Sequence, residues 1–370
     1  MSRLVNLQLQ HFRNIDQAHL SFGAGINVIA GDNAAGKTAV IEALWTLASG
    51  RSFRTAQPRQ LIQHQQPGLV IFCEVEQGTQ RHRLGLSRQQ DGQVRVRING
   101  DTIRTQAEMA ATLPIQLLTP ESHRLLEEGP KARRHYLDWG CFHAQTDFMQ
   151  HWRLYQRALK QRNRALRQQL PADQVQLWDA QLLAANDRLH SLRHDYIHAL
   201  TPFLETYCQA LMPELSAPPQ VSFRPGWPQA QPDFGQALQS HLEKDRKQGF
   251  TQYGAHRADM RFRFDKMDAQ MALSRGQQKL FVCALLLAQA ALYEKLSGQT
   301  VIMLIDDLPA ELDAHHRQTL LTLLQELGIQ SLLTTTSLNL IPETARDQTD
   351  YQAWCIENGQ LHPLSESSAS

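Results

Sequence analysis

The chain lacks an apolar run of membrane-spanning length, and its N-terminus lacks the apolar stretch of a secretion signal. Neither a membrane protein nor an exported one is the expectation. Cysteine is scarce: Cys73, Cys141, Cys208, Cys283 and Cys355 are odd in number, scattered and without C-x-x-C spacing. That argues against a disulfide framework or a zinc site and for a reducing, cytoplasmic location. Sixteen histidines are present, but no pair has ligand spacing, and His315-His316 suits a solvated helix face. Net charge is only +1, so the whole chain makes no electrostatic case for nucleic acid. What remains is an ordinary globular composition, 42% hydrophobic and 20% charged, in 370 residues that suffice for two or three packed units.

Against these absences stands one specific motif. Gly31-Asp32-Asn33-Ala34-Ala35-Gly36-Lys37-Thr38 fits G-x-x-x-x-G-K-[ST] and follows the apolar run 26–30, while residues 39–47 read as a helix. Strand, glycine loop and helix is the order a phosphate-binding loop requires. The glycines let successive N–H groups curl around phosphates, Lys37 reaches the terminal ones, and the Thr38 hydroxyl ligates Mg²⁺. ATP is the expected ligand, held through Gly31, Asp32, Asn33, Ala34, Ala35, Gly36, Lys37, Thr38 and Ala39. Far downstream, Val301-Ile302-Met303-Leu304-Ile305 reads as a buried parallel strand ending in Asp306-Asp307. Acids terminating an all-apolar strand are costly unless a cation compensates. Asp306 is therefore expected to hold Mg²⁺ with Thr38, and Asp307 to polarise an attacking water, with Lys37 completing the catalytic set.

Three zones follow along the chain. Residues 1–121 are rich in short apolar or alternating runs (4–9, 26–30, 69–76, 82–87, 94–98, 115–118), with Asn99-Gly100-Asp101 as a hairpin turn. Residues 122–250 read as helical. Phe148, Trp152, Tyr155, Leu159, Leu166 and Leu170 follow a 4-3-4 pattern with a polar interruption at Arg162. Pro171 breaks it, and Trp178, Leu182, Ala185, Leu189, Leu192 and Tyr196 resume it, which suggests a short antiparallel helical arm. A proline-rich connection between Pro213 and Pro232 reads as loop. Residues 251–370 return to ATPase chemistry. The fold class is thus α/β, a P-loop ATPase head with a mixed or parallel sheet, split by a helical lobe.

Local charge differs from global charge. Between residues 131 and 167 lie Lys131, Arg133, Arg134, Arg153, Arg157, Lys160, Arg162, Arg164 and Arg167 against Asp138 and Asp147, a surplus of +7. Such a stripe suits phosphate backbones, single-stranded, double-stranded or gapped, and a solvated face or a protein partner is the alternative. Arg51 and Arg54 join the expected contacts, which carry no base reading.

Leu273-Ser274-Arg275-Gly276-Gln277-Gln278 opens a further apolar helix. L-S-x-G-Q at a helix start resembles the signature motif of ABC-type ATPases, in which two copies sandwich two ATP molecules. Ser274, Gly276 and Gln277 would then cap a phosphate held by a second copy, as a helix N-terminus can. Glu311-Leu312-Asp313 resembles that superfamily's D-loop. The likeness narrows to the RecF family of bacterial recombination-mediator ATPases. It is carried by Phe12-Arg13-Asn14, Gly50-Arg51-Ser52-Phe53-Arg54, Gly129-Pro130-Lys131-Ala132-Arg133-Arg134-His135-Tyr136-Leu137-Asp138-Trp139-Gly140, His256-Arg257, Leu273-Ser274-Arg275-Gly276-Gln277-Gln278-Lys279 and Ile305-Asp306-Asp307.

The resemblance implies an ATP-dependent homodimer that binds DNA at gaps or junctions. It also implies work with RecR and RecO in loading a recombinase, gap repair and induction of the SOS response, with hydrolysis as a slow switch. Three positions depart from the superfamily or family pattern: Asp307 where most ABC ATPases carry Glu, Thr334-Thr335-Thr336 in place of a switch histidine, and Ala255 where Pro is expected. The first implies slow hydrolysis and the second γ-phosphate sensing by a hydroxyl. Arg13 is a further candidate to reach a phosphate. An ABC transporter's nucleotide subunit, or a DNA-binding scaffold that holds ATP without a hydrolytic switch, is the alternative class.

Overall fold

The structure, a computed structural model, describes residues 2–215 and 217–364, the side chains of residues 310 and 311 excepted. It divides into two compact units, Met1–Ser122 with Lys279–Ser370, and His123–Gln278. Residues 251–278, assigned from sequence to the ATPase head, lie in the second unit.

In the first unit, β1 (Ser2–Phe12) and β2 (Ile15–Ser21) form a hairpin, and β3 (Ile26–Ala30) leads into the glycine loop and the helix Lys37–Ser49. Then come β4 (Gly68–Gln77), β5 (Gln80–Gln89), β6 (Val94–Ile98), β7 (Asp101–Thr102) and β8 (Ile115–Leu118). Six of these make an antiparallel sheet in the order β2-β1-β4-β5-β6-β7. A bulge between Leu4 and Asn6 shifts the alternation, so that Ser2 and Leu4, then Leu7 and Leu9, face the core. Asn99 and Gly100, both at positive φ, close the β6–β7 hairpin as the sequence suggests.

The second unit contributes β9 (Gln220–Arg224), β10 (Asp259–Phe264) and β11 (Met267–Asp268), a small antiparallel sheet in the order β11-β10-β9. The proline-rich connection therefore is not loop throughout, since β9 lies within it. The chain then returns to the first unit with β12 (Ile302–Ile305), β13 (Gln330–Thr335), β14 (Gln352–Glu357) and β15 (Gln360–Pro363). These join β3 and β8 in the order β15-β14-β3-β13-β12-β8, parallel except for the terminal hairpin. Every residue of β3, β12 and β13 is buried, as expected for parallel strands covered on both faces. Helix Lys37–Ser49 packs its buried Val40, Ile41, Leu44 and Leu47 into a core shared with Leu7, Leu9, Ile71 and Val75. Each such side chain contributes roughly 1.5–3 kcal/mol.

The absence of a spanning apolar run needs correction. Helix Arg275–Ser297 is long and apolar enough by length and composition to cross a membrane, its most apolar 18-residue window having a mean hydropathy of 1.5, yet 72% of that window is buried within the protein. It is the single such helix among the described residues.

The second unit is built on helices Pro130–Ala144, Phe148–Arg167, Asp179–Leu211 and Phe234–Gln248. The two apolar stripes do pair, and Pro171 starts a short helix, Ala172–Gln176, between them. The second long helix outruns its stripe, continuing through Pro202 to Leu211. Arg162 is no solvated interruption. Fully buried, it donates to Asp179 Oδ1 at 2.8 Å, and to Asp245 Oδ2 and Thr251 Oγ1 at 2.7 Å each. Three helices and the 251 turn are thereby tied at one charge, which would be prohibitive to bury unpaired.

Candidate phosphate site and basic helix face

The loop after β3 is shaped by backbone before any ligand. Gly36, at φ 121, ends it in a conformation that a side chain would strain, and Ala34 sits at φ 67. The amide of Asn14 donates to Ala35 O at 2.9 Å, and Gly359 N–H donates to the same carbonyl at 3.0 Å. Lys37 curls back so that Nζ donates to Gly31 O at 2.7 Å and to Asp32 O at 2.9 Å. Lys37 is only 8% exposed, and among the described residues no carboxylate pairs with it. A buried ammonium has three donors, and two loop carbonyls leave its charge uncompensated.

The acidic strand end meets this loop. Asp306, 6% exposed, accepts from Thr38 Oγ1 at 3.0 Å and from Thr334 Oγ1 at 2.7 Å. Burial raises its carboxyl above the usual range, the two hydroxyl bonds oppose the shift, and neighbouring Asp307 adds to it. Asp307 stands in the left-handed region at φ 53, ψ 55, and its N–H donates to Thr334 Oγ1 at 2.7 Å. A non-glycine residue held there is strained backbone at a place of chemistry. Thr334 donates its one proton to Asp306 and accepts from Asp307 N–H, so it organises the acidic pair. The donor set, a hydroxyl and a carboxylate side by side, fits a small hard cation.

Asn33, Gly36, Lys37, Thr38, Ala39, Asp306, Asp307 and Thr334 line one cleft of about 1070 Å³ with Arg13, Arg54 and the segment from Arg59 to Gln65. Arg13 lines this cleft with its donors already committed. Its guanidinium chelates Glu42, Nε at 2.9 Å and Nη2 at 2.6 Å, and Nη1 donates to Gln60 O. Glu42, fully buried, also accepts from Ser52 Oγ, and Arg54 Nη1 lies 3.6 Å from it. Two of the family-like segments, 12–14 and 50–54, thus converge on one carboxylate. Glu42 escapes the sequence reading, although a lone acid inside Ala39-Val40-Ile41-Glu42-Ala43-Leu44 is itself the signal.

Ser274, Gly276 and Gln277 lie in the second unit. Ser274 caps helix Arg275–Ser297 reciprocally: Gln277 N–H reaches Ser274 Oγ at 3.3 Å and Ser274 N–H reaches Gln277 Oε1 at 3.0 Å. Gly276 is exposed, and a Cβ built there meets nothing within 4 Å. Asp313 likewise caps the helix Ala314–Glu326 by accepting from His316 N–H.

The basic stripe separates into two groups. Arg133 is chelated by Asp259, Arg134 donates to Ala258 O, and Arg162 is buried, so these three hold the second unit together. Arg153, Arg157, Lys160, Arg164 and Arg167 are exposed at 4-3-4-3 spacing along one face of helix Phe148–Arg167. Lys131 and Arg51 are exposed as well.

Parallel sheet, glycine loop and acidic strand end define an ABC-type P-loop head of the kind found in RecF and SMC proteins. The RecF/RecN/SMC N terminal domain model matches residues 3–351. A DNA replication and repair protein RecF from Hydrogenovibrio crunogenus is 59% identical over 98% of this chain and 99% of its own. Its namesake from Shewanella woodyi is 42% identical over 90% of each. A solved structure of the recombination mediator RecF with ATP, from the RecFOR pathway, shares the fold with a TM-score of 0.85 at 23% identity over 98% of both chains. The chain belongs to the RecF family of DNA replication and repair proteins.

Proposed function

We propose that the chain is an ATP-operated DNA-binding switch that works as a dimer, in the cytoplasm, with RecR and RecO as partners. The observation that carries the ATP reading is Lys37: a nearly buried ammonium without a carboxylate, beside a loop of backbone donors, calls for an anion. Gly31, Asp32, Asn33, Ala34, Ala35, Gly36, Thr38 and Ala39 would surround its phosphates. Thr38 and Asp306 would hold Mg²⁺, which when bound neutralises charge on the terminal phosphates. Asp307 would orient water, and its short side chain suits slow hydrolysis. Ser274 and Gly276 are exposed at a helix N-terminus and Gln277 partly so, and the three would meet the phosphate bound to a second copy. The basic face of helix Phe148–Arg167 would hold DNA by its backbone, with Arg51, Arg54 and Lys131 as further contacts.

Fluorescent-nucleotide titration of Lys37→Arg tests the loop. The variant should keep some nucleotide binding and should lose the ATP-driven dimer in sedimentation. Full dimerisation by it would contradict the role given to Lys37.

A further inference from the structure

His256-Arg257, among the residues that carry the family likeness, takes no part in the phosphate site. It stands in the second unit at the rim of an open cleft of about 560 Å³, walled by Arg224, Trp227, Phe250, Tyr253, Arg257 and Arg261. This volume is within the range of small-ligand sites.

The cleft is built rather than incidental. Gly226 (φ 102) and Gly254 (φ 126) bring two turns together, with Gly254 N–H donating to Gly226 O at 3.0 Å. A Cβ on Gly226 would lie 2.2 Å from Gly254 O, so only glycine allows this close approach of the turns that carry Trp227 and Tyr253. The turn that carries Arg257 is fixed from four sides. Asn186 accepts from Ala255 N–H at 2.9 Å, Arg193 donates to Ala255 O at 2.7 Å, and Arg134 donates to Ala258 O at 2.7 Å. The Tyr155 hydroxyl lies 2.7 Å from His256 Nδ1. Asp259, the one carboxylate in the cleft, is taken by Arg133 and Arg261. Among the described residues no carboxylate pairs with Arg224 or Arg257, and both are exposed. Arg257 Cζ lies 5.8 Å from the centroid of the Phe250 ring, itself 38% exposed.

Fixed geometry, surplus positive charge and an exposed ring beside a guanidinium are what unpaired bases use, since ring and guanidinium planes both stack on them. A duplex offers no free base face. An acidic peptide would use the charge and leave the ring idle. The cleft also adjoins the basic face, because the segment before it is tied to that helix. Thr251 bonds to Asn163 Oδ1 at 2.8 Å, and a Cβ on Gly249 would lie 3.3 Å from Arg167 Cγ. We propose that this cleft binds an unpaired nucleotide of a DNA strand, its base against Phe250 and Arg257 and its phosphates on Arg224 and Arg257. The proposal rests on the DNA reading of the basic helix face and deepens it.

The test uses the full chain with ATP–Mg²⁺ and two labelled DNAs, a blunt duplex and the same duplex with a single-stranded extension carrying 2-aminopurine. Phe250→Ala and Arg257→Ala should each weaken binding of the extended DNA about tenfold and leave the blunt duplex unchanged. Emission of 2-aminopurine should change on binding to wild type and Phe250→Trp, and not to Phe250→Ala. The thermal midpoints of these variants should match wild type. Wild-type affinity of both alanine variants for both DNAs overturns the proposal and leaves the cleft to an acidic protein segment. Equal loss on both DNAs overturns it in favour of backbone contact alone. Arg157→Ala with Lys160→Ala should weaken both DNAs, and its failure would sink the DNA reading itself rather than the cleft alone.

Discussion

Thr38 Oγ1 and Asp306 Oδ1 stand 3.0 Å apart, although 268 positions of sequence separate them. The parallel order β3-β13-β12 makes this possible. The glycine loop leaves the end of β3, Thr334 the end of β13, and Asp306 follows β12, so three distant segments finish at one edge of one sheet. Asp306 is held there by two hydroxyls at a cost in solvation, and the cost has a measurable sign.

A carboxyl whose pKa is raised on folding binds its proton more tightly in the folded state. Its contribution to stability is present at low pH and is lost as pH rises through the folded value. Asp306→Asn should therefore raise the melting temperature of the nucleotide-free protein at pH 7.5, with a smaller gain near pH 4. The same variant should lose Mg²⁺-dependent nucleotide affinity. Melting curves across pH check it, and a lowered midpoint at pH 7.5 would count against the solvation argument.

Arg13, part-exposed, chelates the fully buried Glu42, so removing Arg13 takes the main countercharge from a buried carboxylate. Glu42→Ala should cost about 3–5 kcal/mol in urea unfolding, because Arg13 and Ser52 lose their acceptor together. The double variant Arg13→Ala, Glu42→Ala should cost clearly less than the sum of the singles. Additive losses would mean that the chelate is not one unit.

Exposed cations act on DNA through counterion release. Replacing Arg157, Lys160 and Arg164 together by Ala should weaken DNA binding on any sequence. It should also flatten the plot of log affinity against log salt by about 0.9 for each phosphate that is no longer neutralised. An unchanged slope would remove this face from the interface. Arg133→Ala should instead lower thermal stability, since that side chain is held by Asp259.

Much of this is legible in the sequence because it depends on local pattern. The glycine loop, the apolar strand ending in two acids and the Ser274 helix start are each a handful of residues whose chemistry demands that order. The 4-3-4 stripes likewise mark the two paired helices. What local pattern does not separate are side chains of one type with opposite fates. Arg162 and Arg164 are two residues apart, and one is buried against two carboxylates while the other faces water. Partners such as Asp245 and Asp259 come from far along the chain, so nothing nearby distinguishes structural arginines from exposed ones. Arg13 eludes sequence reading for the same reason, since it commits its donors to Glu42, 29 positions away.

The ATP-dependent dimer is tested most directly at Gly276. A Cβ built at Gly276 meets nothing within 4 Å, and arginine is a better helix former than glycine, which costs up to about 1 kcal/mol relative to alanine. Gly276→Arg should therefore fold at least as stably as wild type. In sedimentation with no nucleotide, with ADP and with ATP–Mg²⁺, wild type should become a dimer only with ATP–Mg²⁺. Gly276→Arg should stay a monomer while still binding ATP. A dimer of unchanged mass formed by Gly276→Arg, or a wild-type mass independent of nucleotide, would contradict the two-site switch.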